Sequence, residues 1–115
     1  MTPSQHITLA ELQLTIRDTL TERFALPLWV SAEVADVKVN PSGHCYLELI
    51  DKGLSDGANG VPKAQARGVI WRSHYARIVS RFEAESGQQL ERGIKILVKV
   101  TLTYHELYGL SLQIT

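Results

Sequence analysis

A mainly β barrel of five strands with two helices is the fold class that the sequence predicts, on three observations. Apolar residues alternate with polar ones in five short stretches, the mark of strands with one buried face. Two further stretches, one near the N-terminus and one between the third and fourth strands, carry apolar residues at helical spacing instead. The chain has 115 residues, 44% hydrophobic and 21% charged, which suits one folded domain and neither two domains nor a disordered segment.

Thr8-Leu9-Ala10-Glu11 has the form of a capping box, and Leu9, Leu12, Ile16, Leu20 and Phe24 then recur at helical spacing. The helix is predicted over Leu9–Phe24, because Pro27 pushes the residue before it out of the α region. From Leu28 the period is two, with Val30, Ala32 and Val34 alternating with Trp29, Ser31 and Glu33. The phase slips near Asp36 before Val37 and Val39 resume it, so a bulge is expected there. Asn40-Pro41-Ser42-Gly43 is turn chemistry. The second strand, His44–Asp51, places Cys45, Leu47 and Leu49 on one face and His44, Tyr46 and Glu48 on the other.

Lys52–Lys63 is a glycine-rich loop without periodicity. Ala64–Arg72 is the third strand, ending in Val69-Ile70-Trp71, with Gln65, Arg67, Val69 and Trp71 on its outward row. Ser73 is the expected cap of the second helix, whose apolar positions are Tyr75, Ile78, Val79 and Phe82 and which Gly87 closes. Ile94–Tyr104 is the fourth strand and His105-Glu106-Leu107 a turn, and Leu110, Leu112 and Ile114 mark a fifth strand. The sequence stops at Thr115 within that strand, as expected of a domain cut from a longer protein. Residues 1–27 are expected to form an N-terminal amphipathic helix packed on a barrel of residues 28–115.

Helix, three strands, helix, two strands is the order of an OB-fold, a five-stranded Greek-key barrel that binds oligonucleotides or oligosaccharides on the face of strands 2 and 3. Another small barrel, or an α+β sandwich with both helices on one sheet face, fits the same order. The outward rows favour unpaired nucleic acid, since bases stack on flat rings while cations follow the phosphates. Tyr46 and Trp71 are the candidate stacking residues, and Arg67, Arg72 and Lys38 the candidate phosphate partners. Ser42 and His44 on the first loop, with Tyr104, His105 and Tyr108 around the last, are placed to close a groove from both sides.

Charge supports this only locally. Residues 1–62 hold four basic and eight acidic side chains, a balance of −4, and residues 63–115 hold eight and four, a balance of +4. Lys63, Arg67, Arg72, Arg77 and Arg81 follow one another without an intervening acid. Four histidines (6, 44, 74 and 105) and Cys45 have no metal-ligand spacing, and no nucleophile elbow, P-loop or dinucleotide fingerprint occurs. A Mg²⁺ site built from Glu33, Asp36, Glu48 and Asp51 is opposed by strand parity, which separates Glu48 from Asp51. No cofactor and no catalytic residue is therefore expected in this chain. A single cysteine, no apolar run of membrane-spanning length and no signal-peptide layout lead to the expectation of a cytoplasmic protein without a membrane partner.

Ser42-Gly43-His44-Cys45-Tyr46-Leu47-Glu48-Leu49-Ile50-Asp51 resembles the S-G-H-x-Y-F-x-L-K-D segment of the exodeoxyribonuclease VII large subunit family, in its N-terminal domain. Leu28-Trp29-Val30-Ser31-Ala32-Glu33-Val34-Ala35-Asp36 is similar to that family's W-V-x-G-E-I-S-N stretch. Val69-Ile70-Trp71-Arg72 and Tyr104-His105-Glu106-Leu107-Tyr108-Gly109 match its third-strand end and last turn. Ala32, Ala35, Asp36, Leu47 and Ile50 depart from the family pattern, and the last removes a positive group beside the groove. The resemblance implies an OB-like domain that binds single-stranded DNA. The parent would be a cytoplasmic nuclease that degrades single strands from both ends into oligonucleotides. Its catalytic domain would follow in the same chain, and small subunits would bind through later regions. A docking module of the same nuclease, without direct DNA contact, is the alternative.

Overall fold

The computed structural model describes residues 4–53 and 61–115. The elements are α1 (Leu9–Arg23), β1 (Leu28–Val39), β2 (Cys45–Asp51), β3 (Ala64–Ile70), α2 (Arg72–Ser86), β4 (Lys95–His105) and β5 (Gly109–Ile114). Most of the predicted 52–63 loop, residues 54–60, lies outside the described residues. Five strands close into one barrel in the order β1-β2-β3-β5-β4, with β3 and β5 parallel and the other neighbours antiparallel. This is the OB-fold arrangement, with the second helix between β3 and β4.

Closure depends on the length of β1. Its first half, from Leu28 to Glu33, pairs with β4, and its second half, from Glu33 to Val39, pairs with β2. The register shifts between Val34 and Asp36, where the sequence phase slips, so the bulge sits where β1 changes partners. Val34 N–H donates to Ile94 O at 2.8 Å and Gly93 N–H donates to Val34 O at 2.7 Å, which anchors the turn region before β4 at the same point.

The alternating apolar residues meet inside the barrel. Val34, Cys45, Leu47, Leu49, Ile70, Ile96, Val100, Leu112 and Ile114 form the buried cluster. Tyr75, Ile78, Val79 and Phe82 of α2, the residues predicted for its apolar face, pack against it half-buried. Gly68 lies where β3 meets β5: a Cβ there would stand 3.2 Å from Leu49 Cδ1 and 3.4 Å from Ile114 Cδ1.

Helix α1 starts as predicted, with Glu11 N–H donating to Thr8 Oγ1 at 3.0 Å. The Glu11 carboxylate accepts from the Thr8 hydroxyl at 3.3 Å. The helix contacts β4, where Tyr104 OH donates to Gln13 Oε1, and Arg17 lies 3.7 Å from Glu106 in the turn that follows. None of its residues is buried, and Leu9 and Leu12 are exposed.

Two sequence expectations at the β3–α2 junction are corrected. The third strand ends at Ile70 rather than Arg72, and Trp71 is the N-cap residue of α2, in extended backbone. Ser73 therefore stands inside the first turn and caps nothing. Trp71 makes no side-chain cap bond either. Instead His44, 28 positions earlier, accepts the Arg72 N–H at its Nδ1, 3.0 Å away. Among the described residues no helix is long and apolar enough to cross a membrane.

Candidate nucleic-acid interface

The turn between β1 and β2 sets the geometry of the site. Asn40 N–H donates to His44 O and Gly43 N–H to Asn40 O, each at 2.9 Å, while His44 N–H donates to Asn40 Oδ1 at 3.0 Å. Gly43 has φ +93°, in the left-handed region, and a Cβ on it would stand 3.0 Å from Arg72 Cδ. The turn thus presses against the start of α2, which brings the His44 ring to the helix terminus. His44 meets Trp71 edge-on, with centroids 5.0 Å apart and planes at 88°.

Outward residues then line up across the strands. Lys38, Tyr46, Val69, Gln113 and Thr101 form one cross-strand row, and Asp36, Glu48 and Arg67 form the next. Val69 has outward parity, yet it is 2% exposed, because it forms a floor between these neighbours.

Two concavities share Tyr46 and Arg67. The larger, of about 710 Å³, is lined by Asp36, Lys38, Glu48 and Gln65 beside them. The second, of about 520 Å³, is lined by Tyr46, Arg67, Val69, Trp71, Thr103, Tyr104, His105, Tyr108, Gly109, Ser111 and Gln113. In the β4–β5 turn His105 and Tyr108 stack, with centroids 4.6 Å apart and planes at 28°, and His105 Nδ1 accepts the Leu107 N–H at 3.0 Å. That turn holds a flat, exposed Tyr108 at the mouth of the second groove.

The electrostatics of the two concavities differ. The first contains two carboxylates. Asp36 accepts from the Val37 N–H and lies 3.9 Å from Lys38 Nζ, while Gln65 Nε2 donates to Glu48. The second contains no carboxylate. Glu48 stands opposite Arg67 in register but is engaged by Gln65, and among the described residues Arg67 makes no ion pair. The two carboxylates of the first concavity are thus offset by Lys38 and Arg67, whereas at the edge of the second Arg67 attracts phosphate with no carboxylate in the lining.

Of the nine candidate residues, Tyr46, Arg67, Trp71, His105 and Tyr108 line one groove. Lys38 lines the adjoining concavity. Ser42, His44 and Arg72 line neither, belonging to the turn and the α2 start that support the groove wall. Sequence reasoning left out Thr103, Ser111 and Gln113 as site residues. Their polar, outward parity on β4 and β5 was the available signal.

The carboxylates considered for Mg²⁺ have separate partners. Glu33 pairs with Lys52 at 3.3 Å, and Asp51 Oδ1 accepts the Gly53 N–H at 2.7 Å. Among the described residues no three His, Cys, Asp or Glu side chains converge. Cys45, on the inward parity, is fully buried, and desolvation raises its thiol pKa above the ordinary range.

Comparison with known proteins matches residues 7–115 to the family described as OB-fold nucleic acid binding domain. The chain is 32% identical over 114 residues to the exodeoxyribonuclease 7 large subunit of Deinococcus radiodurans, covering 97% of this chain and 27% of that protein. It is 29% identical over 102 residues to the protein of the same name from Edwardsiella ictaluri, covering 89% of this chain and 18% of that protein. The chain thus spans about a quarter or less of the length of these relatives.

Proposed function

This chain belongs to the OB-fold nucleic acid binding domain family, and on that premise we propose that it holds single-stranded DNA in the groove between β2, β3 and the β4–β5 turn. The observation that carries this reading is the composition of the groove. Tyr46, Trp71, Tyr104, His105 and Tyr108 surround it, Arg67 is its cation, and no acid lines it. Aromatic faces accept any base, at roughly 1–3 kcal/mol each, whereas duplex recognition would call for an element that enters a groove of the helix.

In this proposal Tyr46, Trp71 and Tyr108 stack bases, His105 holds Tyr108 in place, and Arg67, Lys38 and Arg72 meet successive phosphates. Ser42 and His44 maintain the turn that positions Trp71. The chain acts as the strand-holding domain of a longer exodeoxyribonuclease VII large subunit. That enzyme degrades single-stranded DNA at a catalytic domain further along the chain, with small subunits bound through later regions. This domain itself holds the strand without cutting it, and it acts in the cytoplasm without a cofactor.

The test is a titration with labelled oligo-dT at low and moderate salt. Three phosphate contacts give a log–log salt slope near −2, at about 0.7 per contact on a single strand. Tyr46→Ala should weaken binding by about fivefold or more while Tyr46→Phe retains it, because the ring and not the hydroxyl does the stacking. Amide shifts confined to α1 and the far side of the barrel, with β2 and β3 silent, would favour the docking alternative and defeat the proposal.

A further inference from the structure

Outside the groove, one surface combines an exposed indole with unpaired cations. Trp29 has the outward parity of β1 and is 68% exposed. It stands opposite Lys99 in register; Ser31 stands opposite Leu97 and Glu33 opposite Lys95. Leu97, on the same face, is 64% exposed. The outer row of β4 therefore reads Lys95, Leu97, Lys99, with the Trp29 ring beside it. Among the described residues neither lysine makes an ion pair. The acid in register with Lys95, Glu33, is already paired with Lys52 at 3.3 Å. An indole and two free ammonium groups are the parts from which a stacking platform for a charged polymer is made.

This surface is continuous with the groove. Thr103 and His105 line the groove, and Thr101 and Lys99 follow on the same outward parity of β4 at about 7 Å per two residues. Thr101 stands opposite Gln113, itself a groove residue. A strand leaving the groove past Gln113 and Thr101 meets Lys99 and Trp29 without crossing a carboxylate of that row. The opposite exit passes Asp36 and Glu48, which offset Lys38 there.

We propose that the DNA path continues from the groove over Thr101 onto a second stacking platform, formed by Trp29 and Leu97 between Lys99 and Lys95. This rests on the reading of the groove as a single-strand site and extends it to part of β1 and β4. The platform engages only strands long enough to leave the groove.

The experiment compares oligo-dT of about four and about twelve nucleotides, the two ends of the range an OB-fold occupies. A Trp71→Phe background makes Trp29 the only indole. The twelve-mer should quench Trp29 emission and the four-mer should not. Trp29→Ala should weaken the twelve-mer by about five- to tenfold and leave the four-mer unchanged, since one stacked base is lost. Lys95→Gln with Lys99→Gln should reduce the twelve-mer salt slope by about 1.4, at about 0.7 per contact. Trp29 is exposed, so its removal leaves the fold intact, which the melting curve checks. If the twelve-mer binds as tightly to Trp29→Ala and leaves the indole unquenched, the platform is refuted while the groove stands. If neither oligonucleotide binds the wild-type chain, groove and platform fall together. Emission that shifts with protein concentration alone would assign the patch to protein docking and refute the inference.

Discussion

Replacing His44 by alanine removes an acceptor from the first turn of α2 and a ring edge from Trp71, and the cost follows from both losses. The Arg72 N–H is one of the donors that a helix start leaves unsatisfied, and no other side chain caps it. Loss of a capping acceptor costs about 1 kcal/mol, and loss of an edge-on ring contact a further ~0.5–1 kcal/mol. Because the cap bond is exposed, water replaces it in part, so the total stays near 1.5 kcal/mol. For a domain of 115 residues that lowers the melting midpoint by roughly 5–7 °C. His44→Asn, which offers a shorter acceptor, should fall between alanine and the wild type. Circular dichroism melts measure the effect, and oligo-dT titrations well below the midpoint show whether affinity follows. An unchanged midpoint in His44→Ala would refute the capping argument. A stable variant that binds DNA much more weakly would make His44 a direct contact instead.

Three further outcomes follow from the packing of Gly68, Cys45 and Arg67. Gly68→Ala should cost about 1 kcal/mol and Gly68→Val roughly 2–3 kcal/mol in denaturant midpoints, because the added atoms meet Leu49 and Ile114 inside the barrel. Cys45 should resist thiol reagents in the native state. Its folded pKa is raised, so its neutral form is favoured by the fold. Its contribution is therefore constant at low pH and lost as pH rises past about 8.5, where the unfolded thiol ionises first. Comparing wild type with Cys45→Val from neutral to alkaline pH isolates that slope. Arg67→Gln should lower oligo-dT affinity and reduce the salt slope by about 0.7, with little change in melting, since Arg67 is exposed and pairs with no acid among the described residues.

Parity made most of the barrel legible. Cys45, Leu47 and Leu49 point inward and Tyr46 outward because a strand alternates faces, and the phase slip at Asp36 announced the bulge. The β3–α2 junction was not legible, for a physical reason. Val69-Ile70-Trp71-Arg72 reads as continuous strand, and Ser73 is the best local cap. What ends the strand is packing of the β1–β2 turn against Arg72, and the cap comes from a residue 28 positions away. Local propensity carries no information about that contact. The groove was half legible. The rings of β2 and the β4–β5 turn showed in the sequence, whereas the Glu48–Gln65 bond that leaves Arg67 unpaired depends on register between two strands.

The Ser42-Gly43-His44-Cys45-Tyr46 segment is one mechanical unit with a division of labour. Gly43 supplies the positive φ and the close approach to Arg72, His44 caps α2 and abuts Trp71, Cys45 enters the core, and Tyr46 faces the groove. Trp71 is held by the helix start on one side and His44 on the other, so one wall of the groove is fixed by the same contacts that seat α2 on the barrel. Under the proposed single-strand reading, a wall built in this way would lose little freedom when a base stacks on it, so more of the stacking energy would appear as affinity. It also couples the two properties. Changes at Gly43 or His44 reach the groove through Trp71, whereas changes at Tyr108, 74% exposed on its turn, reach binding without touching the core. Double substitution of His44 and Trp71 should therefore be less than additive for affinity, and His44 with Tyr108 additive.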